Sequence, residues 1–110
     1  MGARIVEADV DLHLPHLVGA EVANVFRTLV LRREIGPARA EGALLDLAEL
    51  PATRYPVEPL LPRIWALHDN LTAYDANYVA LAEALDAPLL TTDRRMARSS
   101  GHNARIEVIA

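Results

Sequence analysis

The stretch from Asn70 to Leu85 constrains this chain most. Tyr78, Val79, Leu81 and Leu85 recur at helical spacing and mark an apolar face. Asp75 stands three residues before Tyr78 and four before Val79, so it projects from that same face. A carboxylate on a core-facing stripe is costly unless something pairs with it, and a metal ion or a cationic group would do so. Thr72, three residues upstream, offers another role. Thr72 and Asp75 form a capping-box pattern, which places Asp75 in the first helical turn, bonded to a backbone N–H and favoured by the helix dipole. The two roles are compatible.

The rest of the chain alternates helices with short strands. Residues Arg4 to Asp9 read as the tail of a helix, and Leu12-His13-Leu14-Pro15 as an extended piece, because Pro15 disfavours a helical Leu14. A helix is expected from about Pro15 to Arg33, with Val18, Val22, Val25, Phe26 and Leu29 as its apolar stripe. Gly36-Pro37 ends it and starts a second helix from Ala38 to about Leu50, with Ala40, Leu44, Leu47 and Ala48 inward. Thr53 to Val57 suits an edge strand because of Pro56. A helix from Pro59 to His68 follows, packing through Leu60, Ile64, Trp65 and Leu67, with Trp65 and Phe26 as core or dimer-interface residues. After the organising helix come a short strand, Pro88 to Thr92, a basic helix, Arg94 to Arg98, and a final alternating strand, Arg105 to Ile109. This order predicts one α/β domain, a parallel sheet flanked by helices in three layers.

Composition narrows the function. A hydrophobic fraction of 52% excludes a disordered chain. The absence of cysteine excludes disulfides and thiolate metal sites. The first residues lack a signal-peptide h-region, and charges interrupt every apolar run short of a membrane span, so a cytoplasmic, non-membrane protein is expected. The formal net charge of −4 argues against a broad electrostatic grip on nucleic acid. His13, His16, His68 and His102 are scattered without ligand spacing.

Asp93 lies at the expected C-terminal tip of a strand, where α/β sheets build sites. A crossover brings the start of the preceding helix to the same edge, so Asp75 and Asp93 are expected to approach. Two carboxylates about 4 Å apart repel by roughly 4 kcal/mol at an effective dielectric of 20, which a cation would relieve. Oxygen ligands without thiolate favour Mg²⁺ or Mn²⁺, and such sites suit phosphodiester hydrolysis. Asp93 would also N-cap the basic helix, one carboxylate serving both roles.

Three segments together resemble the PIN-domain nucleases, and among them the VapC toxins of bacterial toxin–antitoxin pairs. They are Leu14-Pro15-His16-Leu17 with Glu21-Val22-Ala23-Asn24-Val25, Leu71 to Glu83, and Pro88-Leu89-Leu90-Thr91-Thr92-Asp93. The resemblance implies a Mg²⁺- or Mn²⁺-dependent endoribonuclease with Glu21, Asp75 and Asp93 as catalytic metal-site acids. It implies that Thr91 or Thr92 orients the site, with Asn24 and Asn70 as weaker candidates. It further implies an RNA substrate met by Arg94, Arg95 and Arg98, a VapB-type antitoxin that blocks the site, and a homodimer.

The family's chains begin with an apolar strand ending in a catalytic Asp, followed by a helix. This chain is expected to begin near the end of that helix, lacking about one strand and its crossover, roughly 30 residues. Asp9 and Asp11 follow no apolar strand and are not expected to replace that Asp. Either translation starts further upstream or the protein is genuinely shortened, with the central strand and one metal ligand lost. The alternative function is then a catalytically inactive PIN chain that binds an antitoxin or its own copy.

Overall fold

The computed structural model describes the backbone of residues 3–8 and all of residues 11–109. The chain divides into two compact units, one built from Met1–His16 with Ala52–Ala110 and the other from Leu17–Pro51.

The first unit is a sheet with helices. Its strands are β1 (Ala3–Ala8), β2 (Asp11–Pro15), β3 (Thr53–Tyr55), β4 (Leu89–Thr91) and β5 (Ile106–Val108), in the order β3-β2-β1-β4-β5. β2 pairs with β3 in parallel, and β4 pairs with β5 in parallel. β1 runs antiparallel to both of its neighbours, with Val6 opposite His13 of β2 and Ile5 opposite Leu90 of β4. The expectation of a helix tail over Arg4 to Asp9 is therefore corrected: 3–8 is a strand, and Asp9 lies outside the described residues. The flanking strands offer backbone partners on both sides, and that pairing outweighs a weak local helix preference. The place in the sheet expected to lack its central strand is held by β1, whose antiparallel direction differs from the parallel sheet predicted. β3 is an edge strand, as Pro56 implied.

A 3₁₀ turn (Glu58–Leu60) leads into α3 (Leu61–Ala66), and α4 (Ala73–Leu85) precedes β4. α4 is buried continuously from Ala76 to Ala82. The expected single apolar face is thus too narrow, because a helix apolar all round is covered all round. Ile64, Leu67, Leu89 and Met96 complete this core. Trp65 stands outside it, 70% exposed, and corrects the packing role assigned to it.

A charged clamp locks α3 to α4. Arg63 donates from Nε to Glu83 Oε1 (2.7 Å) and from an Nη to Oε2 (2.9 Å), while the Asn103 N–H donates to Oε2 (2.7 Å). The Arg63 bonds, and after them the Asn103 amide, hold the Glu83 carboxyl below its ordinary value against the cost of burial. Gly101, at φ +87°, lies against the Asn70 amide, where an added Cβ would sit 2.3 Å from Nδ2.

The second unit is a helical hairpin of α1 (Val18–Leu31) and α2 (Pro37–Glu49). Val18 and Ala40 are buried, the rest of the expected stripes is half-buried, and Ala48 is exposed rather than inward. α1 ends in a Schellman turn: the Arg33 N–H donates to the Val30 carbonyl and the Glu34 N–H to the Leu29 carbonyl, both at 2.9 Å. Arg33 takes φ 61°, a left-handed position that costs a side-chain-bearing residue about 1–2 kcal/mol.

Two measurements check this account. Arg33→Gly should raise stability by about 1 kcal/mol in thermal or denaturant unfolding, because glycine adopts that turn without strain. Glu83→Ala should cost about 2–3 kcal/mol by leaving Arg63 and the Asn103 amide unpaired. Since the folded Glu83 carboxyl lies below its unfolded value, its contribution is present at neutral pH and is lost as pH falls through the carboxylate range. The gap between wild type and Glu83→Ala should therefore close on acidification.

Candidate functional site

The start of α4 and the end of β4 carry the two candidate acids of the first unit. Thr72 is the N-cap of α4, and its hydroxyl accepts a hydrogen bond from the Asp75 N–H (3.2 Å). This is the capping half of the sequence reading, and it leaves the Asp75 carboxylate in the first turn, half-buried. Asp93 follows β4 and N-caps α5 (Arg94–Ala97), its Oδ1 accepting from the Arg95 N–H (2.9 Å). The Asp93 N–H donates to Thr91 Oγ1 (2.9 Å). Thr91 is fully buried and Thr92 exposed, so the hydroxyl beneath Asp93 belongs to Thr91.

The two acids differ electrostatically. Burial first, and then the negative charge of Asp93, push the Asp75 carboxyl above its ordinary value, while the Thr72 hydroxyl and the Arg95 charge oppose the shift. Asp93 is held below its ordinary value, chiefly by the Arg95 backbone N–H and further by the charge of the same residue. The Arg95 Nε stands 3.6 Å from Asp93 Oδ1, with its side chain 87% exposed. The charge of Asp93 acts on Asp75, second to burial in raising its carboxyl.

The other candidates divide by unit. Glu21 lies in the first turn of α1, half-buried, and its N–H bonds the Leu17 carbonyl (3.1 Å). Asn24 is exposed, and its carbonyl accepts from the Thr28 hydroxyl (3.2 Å). Both belong to the second unit. Asn70 lies against Gly101. Arg94 and Arg98 are exposed on and beside α5. Among the described residues, no three His, Cys, Asp or Glu side chains are grouped as a metal site. The donor set nevertheless suits a hard divalent ion: two carboxylates, no sulfur, and one acid raised first by burial and then by the charge of the other. No helix of the described residues is long and apolar enough to cross a membrane.

In the sequence Thr72 reads only as a cap, and Arg95 only as one of three arginines that the resemblance sets against RNA. Their contacts with the acids depend on folding, although the Thr-x-x-Asp and Asp-x-Arg spacings carry the local part of the signal.

Residues 3–101 match the family model described as the PIN domain. Ribonuclease VapC9 of Mycobacterium tuberculosis is 45% identical over 107 residues, which cover 97% of this chain and 84% of that protein. The same figures hold for VapC ribonuclease Mb0985 of Mycobacterium bovis. Ribonuclease VapC1 of Mycobacterium tuberculosis is 47% identical over 96 residues, 86% of this chain and 72% of that protein. With strand-end and helix-start acids in one unit and similarity extending over nearly the whole chain, the protein belongs to the VapC ribonucleases of the PIN-domain family.

Proposed function

We propose that the protein is a Mg²⁺- or Mn²⁺-dependent endoribonuclease, the toxin of a type II toxin–antitoxin pair. The observation that carries this reading is the Asp75–Asp93 pair, in which one carboxyl is raised by burial and by the charge of the other. A hard divalent cation removes that repulsion. When bound, such an ion lowers the pKa of a coordinated water and neutralises charge on a phosphate oxygen.

The chain's own groups have separable roles. Asp93 stays ionised at neutral pH under the hold of the Arg95 N–H, and Thr91 secures its backbone. Asp75 joins it as the second carboxylate. Glu21 is assigned as the third acid and Asn24 as its support on the strength of the Glu21-to-Val25 resemblance alone. Arg95 presents a guanidinium beside Asp93, suited to a phosphodiester, and Arg94 and Arg98 extend that basic face. In this reading the protein is cytoplasmic and homodimeric and pairs with a VapB-type antitoxin that covers the acids.

A second reading is an inactive PIN chain that only binds a partner.

The test is RNA cleavage by the 110-residue chain with Mg²⁺ or Mn²⁺. Cleavage should stop on chelation and fall by about 100-fold or more in Asp75→Asn and in Asp93→Asn. A folded chain that cleaves nothing with either metal, yet still binds a VapB-type protein, would establish the second reading. Stability gives an independent readout. At neutral pH and without metal, Asp75→Asn should raise Tm by a few degrees, since it removes a partly buried charge repelled by Asp93. Mg²⁺ should raise the Tm of wild type and leave that of Asp75→Asn nearly unchanged.

A further inference from the structure

Trp65 is the chain's only tryptophan, and it is 70% exposed. An exposed indole offers a large flat apolar face on which another ring can stack. Its ring is held flat against His68, with centroids 4.1 Å apart and planes within 9°. His68 is itself fixed: Nδ1–H donates to the Trp65 carbonyl (2.5 Å), and Nε2 stands 3.3 Å from Asp69 Oδ1. One indole face is therefore covered by the imidazole, and the exposure lies on the other.

The location connects this ring to the acids. Trp65 is the penultimate residue of α3, and Asp75 lies in the first turn of α4, so both flank the single connection Leu67–Thr72. Six residues span at most about 20 Å, and bonds from the Asn70 and Leu71 N–H groups to the Leu67 carbonyl shorten this connection. Tyr74, next to Asp75, is also 61% exposed. A chain of net charge −4 has little long-range attraction for a polyanion, so stacking must supply a large share of any affinity for single-stranded nucleic acid.

We propose that Trp65, backed by His68, is a stacking platform for an unpaired base of an RNA strand running toward Asp75 and Asp93. It is a positioning residue rather than a catalytic one, and the proposal rests on the ribonuclease reading above. A preorganised flat ring loses little freedom on stacking and accepts any base, which suits a single strand rather than a duplex.

The full chain carrying Asp75→Asn is titrated with a short labelled oligo(A) and with an abasic oligomer of equal length. Anisotropy of the label and emission of the sole tryptophan are followed together. Oligo(A) should change Trp65 emission as it binds, whereas the abasic strand should not. Trp65→Leu should weaken oligo(A) binding by about tenfold, and Trp65→Phe should recover most of the loss. In the cleaving wild-type background, Trp65→Leu should raise KM far more than it lowers kcat. Oligo(A) binding with unchanged emission, and equal affinity in Trp65→Leu, would overturn the platform while leaving the ribonuclease standing. A Trp65→Leu chain that drops from dimer to monomer with its RNA affinity intact would assign this face, with exposed Leu61 four residues earlier, to a second copy instead. A wild-type chain that neither binds nor cleaves RNA with Mg²⁺ would overturn the ribonuclease reading and the platform with it.

Discussion

The burial of α4 is the constraint on which the first unit depends. Seven consecutive residues, Ala76 to Ala82, are covered, and three of them are alanines that let neighbouring backbones come close. Tyr78, Val79 and Leu81 fill the remaining space within the same core as Leu67 and Leu89. A helix enclosed on all sides cannot rotate or slide without opening cavities, so its ends are fixed in place. At one end stands Glu83 in its clamp with Arg63, and at the other stands Asp75. The core thereby sets where a partly shielded carboxylate must sit. It also buries Asn77, whose Oδ1 has no hydrogen-bond partner among the described residues, a polar cost accepted inside an otherwise apolar helix.

Against that fixed helix, the two acids share their electrostatics unequally. Asp93 is satisfied locally, capping α5 through the Arg95 N–H and resting on Thr91 through its own N–H. Asp75 has the Thr72 cap for its backbone, but its carboxylate bears both burial and the charge of Asp93. Asp93 thereby holds its charge more readily than Asp75, whose carboxyl is raised by burial and by the neighbouring charge. Asp93 starts its own helix and Asp75 stands in the first turn of another, so both acids are placed by local helix geometry.

Much of this was legible from local pattern. The Thr72 cap, the helix from Ala73 to Leu85, the strand ending before Asp93 and the cap of the basic helix all follow from short-range spacing, and each is present. The PIN resemblance rested on two of these segments together with Leu14 to Leu17 and Glu21 to Val25. What failed did so where tertiary context decides. Residues 3–8 carry no strong signal of their own, and pairing with β2 and β4 makes them a strand. Trp65 read by type as a core or dimer-interface residue, and the core half fails: at its place on α3 the ring stacks on His68 in the open. Ala48 is small enough to suit either environment, so periodicity alone could not assign it.

By itself, the sequence determined which residues are acids, where the helices carrying them begin, and to which family the pattern belongs, because capping and periodicity act over three or four neighbours. Only the tertiary structure decided that Asp75 is the strained member of the pair, that Thr91 rather than Thr92 lies beneath Asp93, and that α4 is enclosed instead of one-sided. Each of these depends on burial or on through-space charge between residues distant in the chain, quantities that no local pattern encodes.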